Sequence, residues 1–360
     1  MARPPRRSQP KPKLQLAPTA ALVLTLAAGT VLTLSDRGLL SSPGPGRLLD
    51  GGWPAAYERK LEEGLPFRRL AVNAWGTLRY VLFAQGNRGV LVGKDGWLFS
   101  SEEFQSARDL EPSLRVNLAQ VQEAREALAR RGVELVVALV PAKARVYPEM
   151  LGRYALPESA AGRYSRLLGS LAGLGVAAPD LLGPLLEAKR QAQVFLRTDT
   201  HWTPLGAGAA ARALAAAADG YLSRAGSPRT RFLTTDGLQR EYRGDLLNFL
   251  PLGRFERRLV PPPDTITPKL TTAAETSETG LFGQVAIPVV LVGSSYSAGE
   301  LWNLEGALKQ AMSADVLDVA KEGQGALAPM RALLSGTVLE EVQADLVIWE
   351  IPERYFETQP

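Results

Sequence analysis

Three stretches of the chain are apolar at consecutive positions over the length of a strand: Leu135–Val140, Val289–Val292 and Leu346–Trp349, with a shorter one at Val316–Val319. A strand with one face in water alternates apolar and polar residues, whereas a strand covered on both faces does not. Between these runs, Leu114–Arg130, Arg163–Leu174 and Leu301–Met312 place apolar residues at helical spacing, and the alanine-rich run Ala207–Ala218 reads as a further helix. Strands alternating with helices predict an α/β fold, a three-layer αβα domain around a mostly parallel sheet. In such sheets chemistry lies beyond the carboxyl ends of the strands. Upstream, apolar positions from Trp53 to Phe83 predict two short helices broken at Pro66, and Gly93–Phe99 predicts a tight hairpin turn.

The amino-terminal pattern differs. Leu14–Ser35 is uncharged, and as a helix it spans about 33 Å against a hydrocarbon core of about 30 Å. It follows Arg3, Arg6, Arg7, Lys11 and Lys13 with no acid among them, so the basic end stays on the cytoplasmic side. A transmembrane signal anchor is the expected reading. A cleaved signal peptide is the alternative, because Ala27-Ala28-Gly29 supplies small residues at a possible cleavage site. The chain then divides into a cytoplasmic basic segment (1–13), an anchor (14–35), a Pro/Gly-rich linker (36–52) and one domain (53–360) outside the cytoplasm.

Composition narrows the chemistry. The 360 residues contain no cysteine and one histidine, which removes disulfide scaffolds, cysteine nucleophiles and metal sites needing two imidazoles. The net charge of +4 is accounted for by the basic amino terminus. The rest of the chain is close to neutral, so no nucleic-acid partner is expected. Neither a Walker A pattern nor a Gly-x-Gly-x-x-Gly follows a strand, and no cofactor is expected.

Two short motifs carry the candidate chemistry. After the run ending at Val292 comes Gly293-Ser294-Ser295-Tyr296-Ser297. A serine on a strand-to-helix turn exposes its hydroxyl beside free backbone N–H groups; ordinary helix capping is the bland alternative. Asp199-Thr200-His201-Trp202 is the second motif. In extended backbone residues i and i+2 share a face, so Asp199 can steady the imidazole of His201. A histidine with no catalytic task is the alternative here, and Trp202 is expected to be packing.

Taken with Val90–Phe99, Val140-Pro141-Ala142-Lys143, Asp199–Ala207, Gly244-Asp245-Leu246-Leu247, Val292–Ser297 and Trp349–Arg354, the chain resembles the periplasmic alginate O-acetyltransferase family in its shorter, membrane-anchored form. The catalytic domain of that family is related to the SGNH hydrolases, in permuted order. The resemblance implies Ser295 as nucleophile, His201 as general base and acid, and Asp199 as the residue orienting His201. Asn303 is the implied oxyanion candidate, with a helix-surface role as its alternative. The family usually has Gly-Thr-Ser or Gly-Asp-Ser where this chain has Gly293-Ser294-Ser295, which leaves Ser294 as the less favoured nucleophile. Acetyl transfer through an acetyl-serine to an exopolysaccharide such as alginate is the implied function. The implied partners are the polymer, a membrane-embedded acyltransferase as acetyl donor, other export components and the inner membrane. A carbohydrate esterase with the same residues and a non-catalytic polysaccharide-binding component are the alternatives. Lys143 is expected as an exposed loop lysine, and Glu350, Glu353 and Arg354 as a structural Glu–Arg pair.

Overall fold

The computed structural model describes residues 52–64, 68–105, 110–250, 252, 256–274 and 287–357, with a few helical positions between 23 and 35. The expected anchor therefore lies mostly outside the described residues, as do the basic segment and nearly all of the linker. Among the described residues no helix is long and apolar enough to cross a membrane.

Two compact units are formed, Met1–Leu82 with Pro251–Phe255, and Phe83–Leu250 with Glu256–Pro360. In the first, helix α1 is Gly52–Gly64 and helix α2 begins at Arg68 and ends at Phe83, with Pro66 between them in sequence. Trp53 and Tyr57, one turn apart on α1, stack with ring centroids 5.1 Å apart.

The second unit holds the strands β1 (Val90–Val92), β2 (Leu98–Ser100), β3 (Glu134–Val140), β4 (Phe232–Asp236), β5 (Arg240–Tyr242), β6 (Asp264–Ile266), β7 (Lys269–Ala273), β8 (Val289–Val292), β9 (Val316–Asp318) and β10 (Leu346–Pro352). The central sheet has the order β3-β10-β8-β9 and every pairing in it is parallel. β1 and β2 form the expected hairpin, turning through Asp95 and Gly96, both at positive φ. Two antiparallel ribbons, β4–β7 and β5–β6, are additions that the hydrophobic pattern did not predict.

Helices α3 (Leu110–Ala129), α4 (Arg163–Gly173), α5 (Leu182–Lys189), α6 (Pro204–Ala225), α7 (Leu304–Met312) and α8 (Leu327–Ser335) cover the sheet. Side chains alternate across a strand, so the unbroken apolar runs feed two cores. Val136, Ala138, Leu291 and Ile348 face α5, α6 and α7, joining Leu185, Leu214 and Leu308. Val137, Leu139, Val290 and Val347 face α3, α4 and α8, joining Val121, Leu167 and Met330. That is the three-layer arrangement. Each buried Val or Leu contributes about 1.5–3 kcal/mol, and every residue of β10 is buried. The helix predicted from Leu301 starts instead at Leu304, because Asn303 takes left-handed backbone at its N-terminus.

Candidate active site

The turn Gly293–Ser297, which carries the candidate nucleophile, is built from below by a carboxylate. β10 pairs Trp349 with Val292, the last residue of β8, so Glu350 lies across from Gly293. A Cβ on Gly293 would stand 2.6 Å from Glu350 Oε2 and 2.9 Å from its main-chain oxygen, so only glycine fits. Ser294 donates to Glu350 Oε2 from its backbone N–H at 2.7 Å and from its hydroxyl at 2.9 Å, and the Ser297 hydroxyl donates at 3.1 Å. Burial pushes the Glu350 carboxyl up to about 7 against the pull of these donors. Ser294 also accepts from the Tyr296 N–H, capping the helical turn Ser295–Ala298. Its hydroxyl is thereby committed, which leaves Ser295 as the candidate to present a free one.

Ser295 Oγ lies 2.7 Å from His201 Nε2, and His201 Nδ1 lies 2.6 Å from Asp199 Oδ1. A carboxylate only accepts, so Nδ1 carries the proton and Nε2 accepts from the serine hydroxyl. The three residues expected from the sequence do come together. Asp199 is fully buried and His201 8% exposed. Asp199 Oδ1 also accepts the His201 backbone N–H at 2.8 Å, while Oδ2 accepts from the Tyr242 hydroxyl at 3.0 Å and the Asp245 N–H at 2.7 Å. Burial alone would raise its pKa, but the bonds from His201 and Asp245 outweigh it and hold Asp199 well below the usual carboxylate range. Tyr242 is pushed up, first by burial and then by the charge of Asp199.

The loops carrying His201 and Ser295 are joined reciprocally. Trp202 Nε1 donates to the Tyr296 carbonyl at 3.1 Å, and the Tyr296 hydroxyl donates to the Thr200 carbonyl at 2.7 Å. Asp245 clamps Thr200 in turn, accepting its N–H at 2.9 Å and its hydroxyl. Gly244 leaves the room for this: a Cβ there would meet the Thr198 carbonyl oxygen at 2.1 Å. Trp202 is packing, as expected, being fully buried.

Three expectations are corrected. Lys143 is not an exposed loop lysine but fully buried, and its ammonium donates to the carbonyls of Leu98 (2.6 Å), Arg197 (2.9 Å) and Asp199 (2.9 Å). Burial pushes it down to about 8. Among the described residues Glu350 has no arginine at ion-pair distance; it accepts from Ser294 and Ser297. Glu353 pairs with Arg145 at 3.1 Å and Arg354 with Glu102 at 3.0 Å, so the ion pairs exist but with partners distant in sequence. Asn303 sits at the head of α7 with its amide donating to Thr271 Oγ1 at 3.0 Å.

Residues 90–353 match the family described as an SGNH hydrolase-like domain, acetyltransferase AlgX. The chain belongs to this family. It is 42% identical over 342 residues to the probable alginate O-acetylase AlgJ of Pseudomonas aeruginosa, covering 91% of this chain and 87% of that protein. To the protein of the same name from Azotobacter vinelandii it is 41% identical over 338 residues, covering 91% and 86%. Among solved structures, the O-acetyltransferase domain of Pseudomonas putida AlgJ superposes with a TM-score of 0.68 at 42% identity, over 75% of this chain and 93% of that one. Pseudomonas aeruginosa AlgX shares the fold at 23% identity and a TM-score of 0.57, over 73% and 62%.

In this AlgX-family domain, Asp199, His201 and Asp245 are the one group of metal-capable side chains drawn together among the described residues. Their ligand atoms are already engaged with one another, with Thr200, Tyr242 and Ser295. The residues that sequence reasoning missed are Tyr242, Asp245, Tyr296 and Trp302. Asp245 had a signal, the Gly-Asp pair of a matching block; Tyr242 sits in a segment with no periodicity to mark it, and Trp302 lies in the stretch from Leu301 whose helical spacing pointed to packing alone. A cavity of about 500 Å³ opens beside Trp302 and Asn303, with Arg212, Lys269, Thr234 and Gln310 in its walls.

Proposed function

We propose that this chain is an O-acetyltransferase that acetylates alginate through an acetyl-Ser295 intermediate. The observation carrying the proposal is the unbroken hydrogen-bonded path Asp199–His201–Ser295, in a chain 42% identical to a probable alginate O-acetylase. In the first step Ser295 Oγ attacks the acetyl carbonyl of the donor as His201 Nε2 takes its proton. The bond to the donor's leaving group breaks, and His201 returns the proton to that group. In the second, a sugar hydroxyl gives its proton to His201 and attacks the ester carbonyl; Ser295 Oγ departs and regains a proton. Asp199 holds the tautomer and balances the imidazolium in both steps.

The oxyanion needs donors that are already in place. The Ser295 N–H opens the helical turn and has no acceptor among the described residues, which suits it for that task. Asn303 gives one amide proton to Thr271 and keeps a second for the oxyanion. Alginate is a polyuronate, and the guanidinium of Arg212 in the cavity beside Trp302 suits an anionic acceptor, while Lys269 in the same wall is paired with Asp236. Leu14–Ser35 anchors the chain in the inner membrane with the catalytic unit in the periplasm, where a membrane-embedded acyltransferase supplies acetyl groups and other export components present the polymer.

Incubating the full chain with p-nitrophenyl acetate tests the first step. The expected result is one acetyl group on Ser295, absent from Ser295→Ala and slowed by about 10²–10⁴ in His201→Ala. Adding oligouronates tests the second. Acetylated oligomer supports transfer, whereas free acetate alone at saturating acceptor would replace the transferase reading by an esterase.

A further inference from the structure

His201 is gripped in its own plane by two hydrogen bonds, one at each ring nitrogen. One of the two does not last through the reaction. Once Ser295 carries the acetyl group its Oγ has no proton to donate, and Nε2 loses its partner. The imidazole must then keep its aim with Asp199 alone until an acceptor hydroxyl arrives. Something has to hold the plane of the ring during that wait.

The indole of Trp302 lies against it. The two rings stack with centroids 4.4 Å apart and planes 12° from parallel, and Trp302 is only 4% exposed. Its Nε1 donates to the Ser295 carbonyl at 3.1 Å, so the same side chain also grips the nucleophile turn. Tyr296 approaches His201 at 4.8 Å but tilted by 57°, an edge contact rather than a second face. Room for the indole comes from Gly299: a Cβ there would meet Trp302 ring atoms at 2.1 to 2.6 Å. Gly299 has an ordinary negative φ of −77°, so the close indole, and not backbone conformation, is what requires a glycine.

We propose that Trp302 is a positioning residue that holds the plane of His201 in the acetyl-enzyme, so that its contribution falls mainly on the second step of transfer. The inference rests on the triad reading above, and the contact itself is open to measurement without it. This chain has a single histidine, so the ring protons of His201 are identifiable in a histidine-labelled NMR spectrum with no assignment work. The stacked indole moves them upfield of a free imidazole.

The test compares Trp302→Leu, Trp302→Phe and Gly299→Ala with the unaltered full chain, using p-nitrophenyl acetate. In Trp302→Leu the turnover rate is expected to fall about tenfold to a hundredfold, with KM falling alongside it as decay of the acetyl-enzyme becomes limiting. The acetyl-enzyme accumulates because its decay slows more than its formation, and the imidazole protons shift downfield. Trp302→Phe keeps a stacking face and restores most of the rate without restoring the Nε1 bond. Gly299→Ala displaces the indole and resembles Trp302→Leu. It carries the test with Trp302→Phe should the leucine variant fail to fold. Acetyl-enzyme decay as fast as in the unaltered chain overturns the proposal, as does a phenylalanine variant as slow as the leucine one, or unmoved imidazole protons. If the unaltered chain never acetylates Ser295, the function above fails instead, and the imidazole shifts in Trp302→Leu and Gly299→Ala still decide whether the indole holds the ring.

Discussion

Lys143→Met removes a fully buried ammonium while keeping most of the side chain's length and volume, so no large cavity is created. What it leaves is three carbonyls, those of Leu98, Arg197 and Asp199, facing an apolar methyl. A buried acceptor stripped of its donor costs about 1–3 kcal/mol. Glu103, whose carboxyl burial raises and the Lys143 charge helps to lower, loses that counter-charge. Removing one member of a buried charge cluster costs about 3–5 kcal/mol. The two estimates overlap, and together they predict a loss of about 3 kcal/mol or more, roughly 5–10 °C in Tm for a domain of this size. An exposed loop lysine would change stability by no more than about 0.5 kcal/mol. Thermal unfolding of the full chain therefore separates the two placements. Activity adds a second readout, because the Asp199 carbonyl is one of the three released and the catalytic loop loosens with it: acetylation of Ser295 by p-nitrophenyl acetate slows at temperatures where the variant is still folded. An unchanged Tm with unchanged acetylation would refute the buried-anchor argument outright.

Glu350→Gln tests the carboxylate under the nucleophile turn. Its folded pKa is raised from 4.5 to about 7, so the stability it gives is fully present below about pH 4.5 and is lost as pH rises to about 7. The difference is on the order of 3 kcal/mol, and the glutamine variant is expected to flatten this part of the Tm–pH curve. Tyr242→Phe removes one donor from Asp199 Oδ2; loss of a bond to a charged group, about 1.5–3 kcal/mol, lowers the turnover rate at least tenfold with KM for p-nitrophenyl acetate unchanged. Gly293→Ala forces a methyl within 2.6 Å of Glu350 Oε2, and a thermal melt is expected to show about 1–3 kcal/mol of overpacking cost together with slower Ser295 acetylation.

What the sequence made visible, and what it hid, follows from how locally each feature is encoded. Strands of the central sheet are legible because burial on both faces leaves an unbroken apolar run, as in Leu346–Trp349, which continues in the structure to Pro352. The ribbons β4–β7 and β5–β6 are not, because their residues are mostly exposed and threonine- or charge-rich, so no pattern separates them from loops. Asp199 and His201 stood out because the chain has a single histidine with an aspartate two residues before it, whereas Ser295 rather than Ser294 was what the resemblance implied. Lys143 could not be placed: a lysine is buried only where carbonyls gather around it, and these come from residues 98, 197 and 199, far from it in the chain. Glu350 was read against Arg354 because the two are neighbours in sequence. The register of β10 on β8 points it instead at Gly293.

That register also bears on the Gly-Thr-Ser and Gly-Asp-Ser sequences that the resemblance implies for other members at this turn. Ser294 has two tasks, to accept the Tyr296 N–H and to donate its hydroxyl to Glu350. Threonine offers the same hydroxyl and differs by a methyl, so Gly-Thr-Ser preserves both bonds. Aspartate keeps the first task, since a carboxylate is a good helix cap, but gives up the second and sets a carboxylate beside another. Such a pair cannot both ionise cheaply when buried. Glu350 is already pushed up to about 7, so the proton that an aspartate at this position requires has a group prepared to hold it. A protonated Glu350 would then donate to the aspartate, reversing the direction of the bond while keeping the turn in place. The Ser295 turn is thus supported by the strand beneath it, through Glu350, as well as by residue 294.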